Sequence, residues 1–225
     1  MDDCDVNLQE ATTISHLRPL RCELSLLSRS DGSSILTQGQ TAVMVSLYGP
    51  VEVRLQNLLI HKASIEVKFI PKSGISGVAD RLKEKVIQNT VETALMSTLY
   101  PRSAVNINIL EMQDSGGLLS CAVNASCLAL LNSGVQMKFL IAAVHCIVNK
   151  NNEIVIDPHD RLIVNNCNAS FVFVFDNIDR KLITSYTTGK YNEEQYMECL
   201  QQCKEASLEI FKFYRDIIKK SALII

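Results

Sequence analysis

Two hydrophobic periods alternate along this chain. A β-compatible run from Leu20 to Leu27 opens it, Ser30-Asp31-Gly32-Ser33 carries the Asp-Gly signal of a hairpin tip, and a second break follows at Gln38-Gly39-Gln40. Thr41 to Leu47 (TAVMVSL) predicts a strand buried on much of both faces and closed by Tyr48-Gly49-Pro50. Val51 to Leu55 and Ala63 to Ile70 continue the sheet; in the latter, Ile65, Val67 and Phe69 alternate with Glu66 and Lys68. From Val78 to Leu99 the period changes. Apolar residues at 78, 82, 86, 87, 91, 94, 95 and 99 predict an amphipathic helix stopped by Tyr100-Pro101, with Ala104 to Met112 a strand after it.

Asp114 to Gly134 (DSGGLLSCAVNASCLALLNSG) organises the rest. Gly116 and Gly117 permit a tight turn, and the residues after them are small or apolar on nearly every side. This predicts a helix from about Leu118 to Leu131 wrapped by protein and stopped at Gly134. A glycine turn opening a helix can hold an anion, but Leu118 and Leu119 offer neither hydroxyl nor guanidinium, so packing is the reading preferred. Beyond it, Lys138 to Val148 and Glu153 to Asp157 predict one strand pair, Ala169 to Phe175 and Lys181 to Tyr186 another. Asn192 and Gln195 have capping-box spacing before a last helix with one long apolar stripe. The elements make an α+β chain, helices laid on β-layers, behind a polar lead-in over residues 1–16.

The 225 residues are 47% hydrophobic, which excludes disorder, and the formal charge of -2 gives no overall basic field for nucleic acid. Eight cysteines lie mostly within apolar periodic segments, without C-x-x-C pairs or zinc spacing, and read as reduced core thiols of an intracellular protein. The acidic N-terminus lacks a signal peptide's apolar region, and the apolar run from Phe139 to Val148 is too short to span a bilayer. His145, between apolar neighbours, reads as a satisfied core histidine, and Asp157-Pro158-His159-Asp160 as a surface turn rather than a metal or acid/base cluster. Cys199 and Cys203 share a helix face through packing, and Arg81, Lys83 and Lys85 read as solvated helix charges. No dinucleotide fingerprint, P-loop, nucleophile elbow or zinc pattern occurs.

Three stretches in order, LRPLRCELSLLSRSDGSSILTQGQTAVMVSLYGPVEV, LYPRSAVNINI and SGGLLSCAVNASCLALLNSGV, resemble the RNase PH family over about Leu17 to Tyr214. LLSRSDGSS, GGLLSCAVNASCLAL, DNIDRKLITSYTTGKYNEEQ and ASLEIFKFYRD resemble its ring subunits in the eukaryotic RNA exosome. The resemblance implies the RNase PH fold (ribosomal protein S5 domain 2-like) as a single domain over residues 17–225. Active members cleave RNA by attack of inorganic phosphate, held by a hydroxyl residue and an arginine directly after the paired glycines. Those positions are Leu118 and Leu119 here. The family's further acidic positions fall near Ile163 and on Ser170, while Asp157 matches an acid common to active and inactive members. RNA-contacting arginines lie at the start of the helix placed at Val78, which makes Arg81, Lys83 and Lys85 candidates for RNA contact. The resemblance therefore implies a catalytically silent ring subunit without cofactor or metal. Its partners are other RNase PH-like ring subunits, RNA-binding cap subunits and RNA in the ring channel, with a homodimer when isolated and no membrane. It implies nucleus, nucleolus and cytoplasm as locations. The alternative is a residual phosphorolytic or metal-assisted nuclease using Asp157, His159 and Asp160.

Overall fold

A computed structural model describes residues 17–160, 162–163 and 167–222; the lead-in over residues 1–16 lies outside the described residues. Nine strands form two sheets. The first holds β1 (Leu20–Leu24), β2 (Gly32–Gln38), β3 (Thr41–Glu52), β4 (Ser64–Ile70) and β5 (Ser103–Gln113) in the order β1-β2-β3-β5-β4. All its pairs are antiparallel except β4 with β5. The second holds β6 (Ile141–Asn149), β7 (Ile154–Ile156), β8 (Cys167–Asp176) and β9 (Leu182–Gly189) in the order β7-β6-β8-β9. The long helices among the described residues are α1 (Val78–Ala94), α2 (Leu118–Ser133) and α3 (Glu193–Ala222). The α+β reading holds.

The helix expected at Leu118 to Leu131 is α2, and its residues from Ser120 to Leu130 are all buried. It lies on β2 and β3 of the first sheet and reaches β6 of the second, so both layers draw their core from one helix. Here the hairpin reading of Gly32 needs correction: Gly32 starts strand β2 rather than sitting at a tip. A Cβ there would stand 2.5 Å from the Ala129 carbonyl oxygen of α2, so the residue is absent a side chain because a strand backbone presses on a helix. Asp31 beside it accepts from the Gly49 N–H at 2.9 Å, tying the loop to β3.

Three other elements differ from expectation. β3 does not close at Tyr48-Gly49-Pro50 but runs on to Glu52 with a register shift, and Val51 to Leu55 is no separate strand; a 3-10 turn, Leu55–Asn57, follows. β3 is also buried on one face only, in alternation along Thr41 to Gly49. α1 stops at Ala94 rather than Leu99, because the chain turns extended at Leu95 and pairs across from Met137. Lys138 N–H donates to Ala94 at 2.7 Å and Met96 N–H to Gln136 at 3.1 Å. That pairing serves the Ala94 carbonyl at the helix end, which would otherwise lack a partner. The stripe's other end is also shorter, since Val78 and Leu82 are exposed and burial begins at Ile87.

α3 begins as its capping residues require: Asn192 N–H donates to Gln195 Oε1 at 3.0 Å. It packs on β6, β7 and β8, where Cys199 and Cys203 are buried and Tyr196 meets the Phe173 ring edge-on at 5.3 Å. The seven cysteines among the described residues are free thiols. Burial pushes Cys121 and Cys127 up to about 12, so both stay protonated and unreactive at neutral pH. No helix among the described residues is long and apolar enough to cross a membrane.

Candidate functional site

The glycine turn, Arg18 just before β1 and the loop after β7 converge on the N-terminus of α2. Gly116 (φ 98°) and Gly117 (φ 70°) both take left-handed backbone, which a side chain would strain. A Cβ on Gly116 would also lie 2.6 Å from the Pro158 oxygen and 2.8 Å from the Asp160 nitrogen. Asp160 N–H donates to Ser115 at 3.0 Å, so the turn and the 157–160 loop are clamped backbone to backbone.

Arg18 holds this junction from inside. Its Nη2 lies 2.7 Å from Asp157 Oδ1 and donates to the Gly116 carbonyl at 2.9 Å, while Nη1 donates to Ser115 at 3.2 Å. The Arg18 backbone N–H donates to Asp157 Oδ2 at 2.9 Å, and Thr41 Oγ1 donates to Gly116 at 2.7 Å. Asp157 is therefore no surface turn. Its side chain is fully buried in an ion pair with one of 14% exposure, at φ 51°, and such a pair once formed is costly to break from one side. Sequence reading missed Arg18 because its partner is 139 residues away and no local spacing records the pair.

His145 is buried in β6, and its Nε2 shares a hydrogen bond of 2.9 Å with Ser170 Oγ in β8. Burial pushes its pKa down to about 4, against the charge of Asp157, so the ring is neutral at pH 7. The satisfied-histidine reading holds for one nitrogen only, since Nδ1 has no partner among the described residues. Gln38, wholly buried beside the Arg18 junction, likewise leaves both side-chain polar atoms unpartnered. Ile163 sits one turn past His159, to whose carbonyl its N–H donates at 3.3 Å; Leu118 is buried and Leu119 partly so.

The candidate RNA contacts at α1 divide by what they touch, with Arg81 and Lys85 exposed at i,i+4 spacing and Lys83 turned to the sheet. Lys83 pairs with Asp80 at 3.3 Å and stands 4.9 Å from the Phe69 ring centroid, and Lys85 donates to Gln88 at 3.2 Å; Arg81 is exposed. Asp80 is held below the usual carboxylate range by the Gly77 N–H and Lys83. Glu111 of β5 is pushed up by burial and by the charges of Asp114 and Asp80, against Lys83 and Lys72, which makes the rim between α1 and the glycine turn mixed in sign. Among the described residues, no group of three or more His, Cys, Asp or Glu is placed to hold a metal ion.

The family described as 3' exoribonuclease family, domain 1, matches residues 16–136. The chain belongs to the RNase PH family. It is 29% identical to the exosome complex exonuclease RRP46 homolog of Arabidopsis thaliana, over 97% of this chain and 98% of that protein. To exosome complex component RRP46 of Saccharomyces cerevisiae it is 24% identical, over 91% and 99%. Rice Rrp46 superposes with a TM-score of 0.86 at 31% identity, covering 91% of this chain and 96% of the other. An archaeal exosome core chain shares the fold alone, with TM-score 0.75 at 16% identity, covering 88% and 87%. The mixed sheets and the helices packed on them are thus the RNase PH fold.

Proposed function

We propose that this chain is a catalytically silent ring subunit of an RNA exosome, supporting 3'-to-5' processing and degradation by neighbours. In this reading RNA threads a channel shared with other RNase PH-like subunits beneath RNA-binding caps, in nucleus, nucleolus and cytoplasm. The observation that carries it is the use made of the turn before α2. A phosphate placed there meets Leu118 and Leu119 instead of side-chain donors, while both terminal nitrogens of the nearby Arg18 guanidinium are engaged by Asp157 and the carbonyls of Ser115 and Gly116. Exposed Asp114 and Asp160 flank the same turn and repel an anion. Ser170, at a degenerate acidic position, offers His145 a neutral hydroxyl, and Ile163 at the other offers none. The nuclease alternative is weakened because Asp157, one of its three residues, is locked in an ion pair.

The test has two arms. Purified chain incubated with labelled RNA and phosphate should release no nucleoside diphosphate above background. Native mass spectrometry of the assembly isolated from cells should find the chain once per ring; release of nucleoside diphosphate, or absence from the assembly, sinks the reading.

A further inference from the structure

A cavity of about 460 Å³ opens on the solvent side of the first sheet, away from the glycine turn. Its lining includes Tyr48 of β3, Asn106 and Asn108 of β5, Glu66 and Lys68 of β4, and Arg54 just past β3. Strand register sets them in rows: Tyr48 stands opposite Asn106, Asn106 opposite Glu66, and Asn108 opposite Lys68. Side chains on one sheet face in directly opposed positions lie within contact of one another. An aromatic ring, two amides, a carboxylate and a cation therefore share one concave surface.

Two features mark it as unfinished. Asn106 Oδ1 is buried and has no hydrogen-bond partner among the described residues. An unpaired buried carbonyl oxygen is costly, and a ligand donor would remove that cost. Arg54 and Lys68, both exposed, form no ion pair among the described residues, unlike Lys83 of α1. Glu66 has one oxygen engaged, accepting from Asn57 at 2.7 Å. At the rim, Gln88 donates to the Ile65 carbonyl at 2.7 Å and covers the edge of β4.

We propose that this cavity binds one nucleotide of single-stranded RNA. The base stacks on Tyr48, and its edge meets the amides of Asn106 and Asn108 and the free oxygen of Glu66. The flanking phosphates lie against Arg54 and Lys68. Aromatic stacking beside cations that track the backbone is how single strands are held, and amides and carboxylates read base edges. A protein surface suits this place less well, since it would bury the two exposed cations Arg54 and Lys68. The part of this face fitted to protein lies further along the same strands. There Met44 stands opposite Leu110 and Leu110 opposite Ile70, with Ile70 and Leu110 exposed. The inference deepens the ring-subunit reading by locating an RNA contact, and it needs that reading only for the source of the RNA.

The test uses the full chain, a fluorescent single-stranded 12-mer RNA and anisotropy at several salt concentrations, with 4-thiouridine crosslinking to map contacts. Tyr48→Ala should weaken binding by roughly tenfold or more, with the salt slope unchanged. Lys68→Glu, a surface change that spares the fold, should weaken it and flatten the slope. Arg81→Ala should bind as the parent does, crosslinks should fall in β3 and β5, and adenosine monophosphate should compete poorly. No saturable binding by the parent, crosslinks confined elsewhere, full competition by the mononucleotide, or unchanged affinity in both cavity variants overturns the proposal. So does loss of ring neighbours in native mass spectrometry when RNA affinity is unchanged, because the face is then a protein interface. Failure of RNA binding with intact ring assembly rejects the cavity and leaves the ring-subunit reading standing.

Discussion

Asn124 of α2 pairs with both backbone groups of Ala143 in β6, donating to its carbonyl at 2.9 Å and accepting from its N–H at 2.7 Å. A helix side chain here does the work of a neighbouring strand. β7 covers β6 only from Cys146 to Val148, so the edge at Ala143 would otherwise be buried without partners. The Tyr214 hydroxyl of α3 adds a bond to Asn124 Oδ1 at 3.1 Å, which joins α2, the second sheet and α3 at one amide.

Asn124→Ala should therefore cost about 2 to 4 kcal/mol, since a buried N–H and a buried carbonyl each lose their partner. Urea unfolding of variant and parent measures it. A loss below about 1 kcal/mol would mean that the edge finds other partners.

The Arg18–Asp157 pair should be equally sensitive from either side. Asp157→Asn, which keeps the shape and removes the charge, should destabilise by about 3 to 5 kcal/mol by leaving a buried guanidinium uncompensated. The double variant Arg18→Met with Asp157→Asn should lose less than the two single losses summed. Additive losses in denaturant unfolding would count against a direct pair.

Gly32→Ala should cost about 1 to 3 kcal/mol, because its Cβ would meet the Ala129 carbonyl at 2.5 Å and force β2 off α2. Thermal unfolding would show the drop. An unchanged midpoint would show that the strand and helix separate freely.

The elements most legible in the sequence were those whose pattern reports their own surroundings. The all-round apolar stretch after Gly117 could only be a wrapped helix, and Asn192 with Gln195 marked a helix start; both are found. Periodicity could not reveal that Gly32 is small for a helix that follows three more strands in sequence, nor that the chain leaves α1 at Leu95 to pair with residues 136–138. At the candidate site, the glycine turn and its two leucines were legible, while Arg18 was silent because one arginine before a strand has no spacing to betray its partner. Asn124 did carry a signal: an amide inside a fully apolar helix must find hydrogen bonds, and reading it as one more small residue overlooked that demand.

His145 gives the protein a pH dependence whose sign follows from burial. Its folded pKa of about 4 lies below the model-peptide value near 6.5, so the unfolded chain takes up a proton first as pH falls. Above about pH 6.5 this group costs nothing; between there and about pH 4 stability should decline, by up to roughly 3 kcal/mol. His145→Gln should flatten that decline in urea midpoints measured from pH 7.5 to 4.5. An equally steep profile in the variant would assign the acid sensitivity to other groups.

Restoring one lost charge should not restore phosphorolysis. Leu119→Arg puts a guanidinium in the first turn of α2, where the helix dipole and the carboxylates of Asp114 and Asp160 act on it in opposite senses. An anion can then be held more tightly, but the leaving oxygen of the RNA still needs a proton. His145 is neutral and bonded to Ser170, and Asp157 is held by Arg18, so neither is poised to give one. One electrostatic contact is worth roughly two to three decades in rate, and general acid catalysis about as much again. Leu119→Arg should therefore show tighter phosphate binding by calorimetry with nucleoside diphosphate release still at background. Adding Ser170→Asp, which puts a carboxyl beside His145, should raise release above background. Activity in Leu119→Arg alone would mean that a proton donor is already in place and would return the chain to the enzymes of its family.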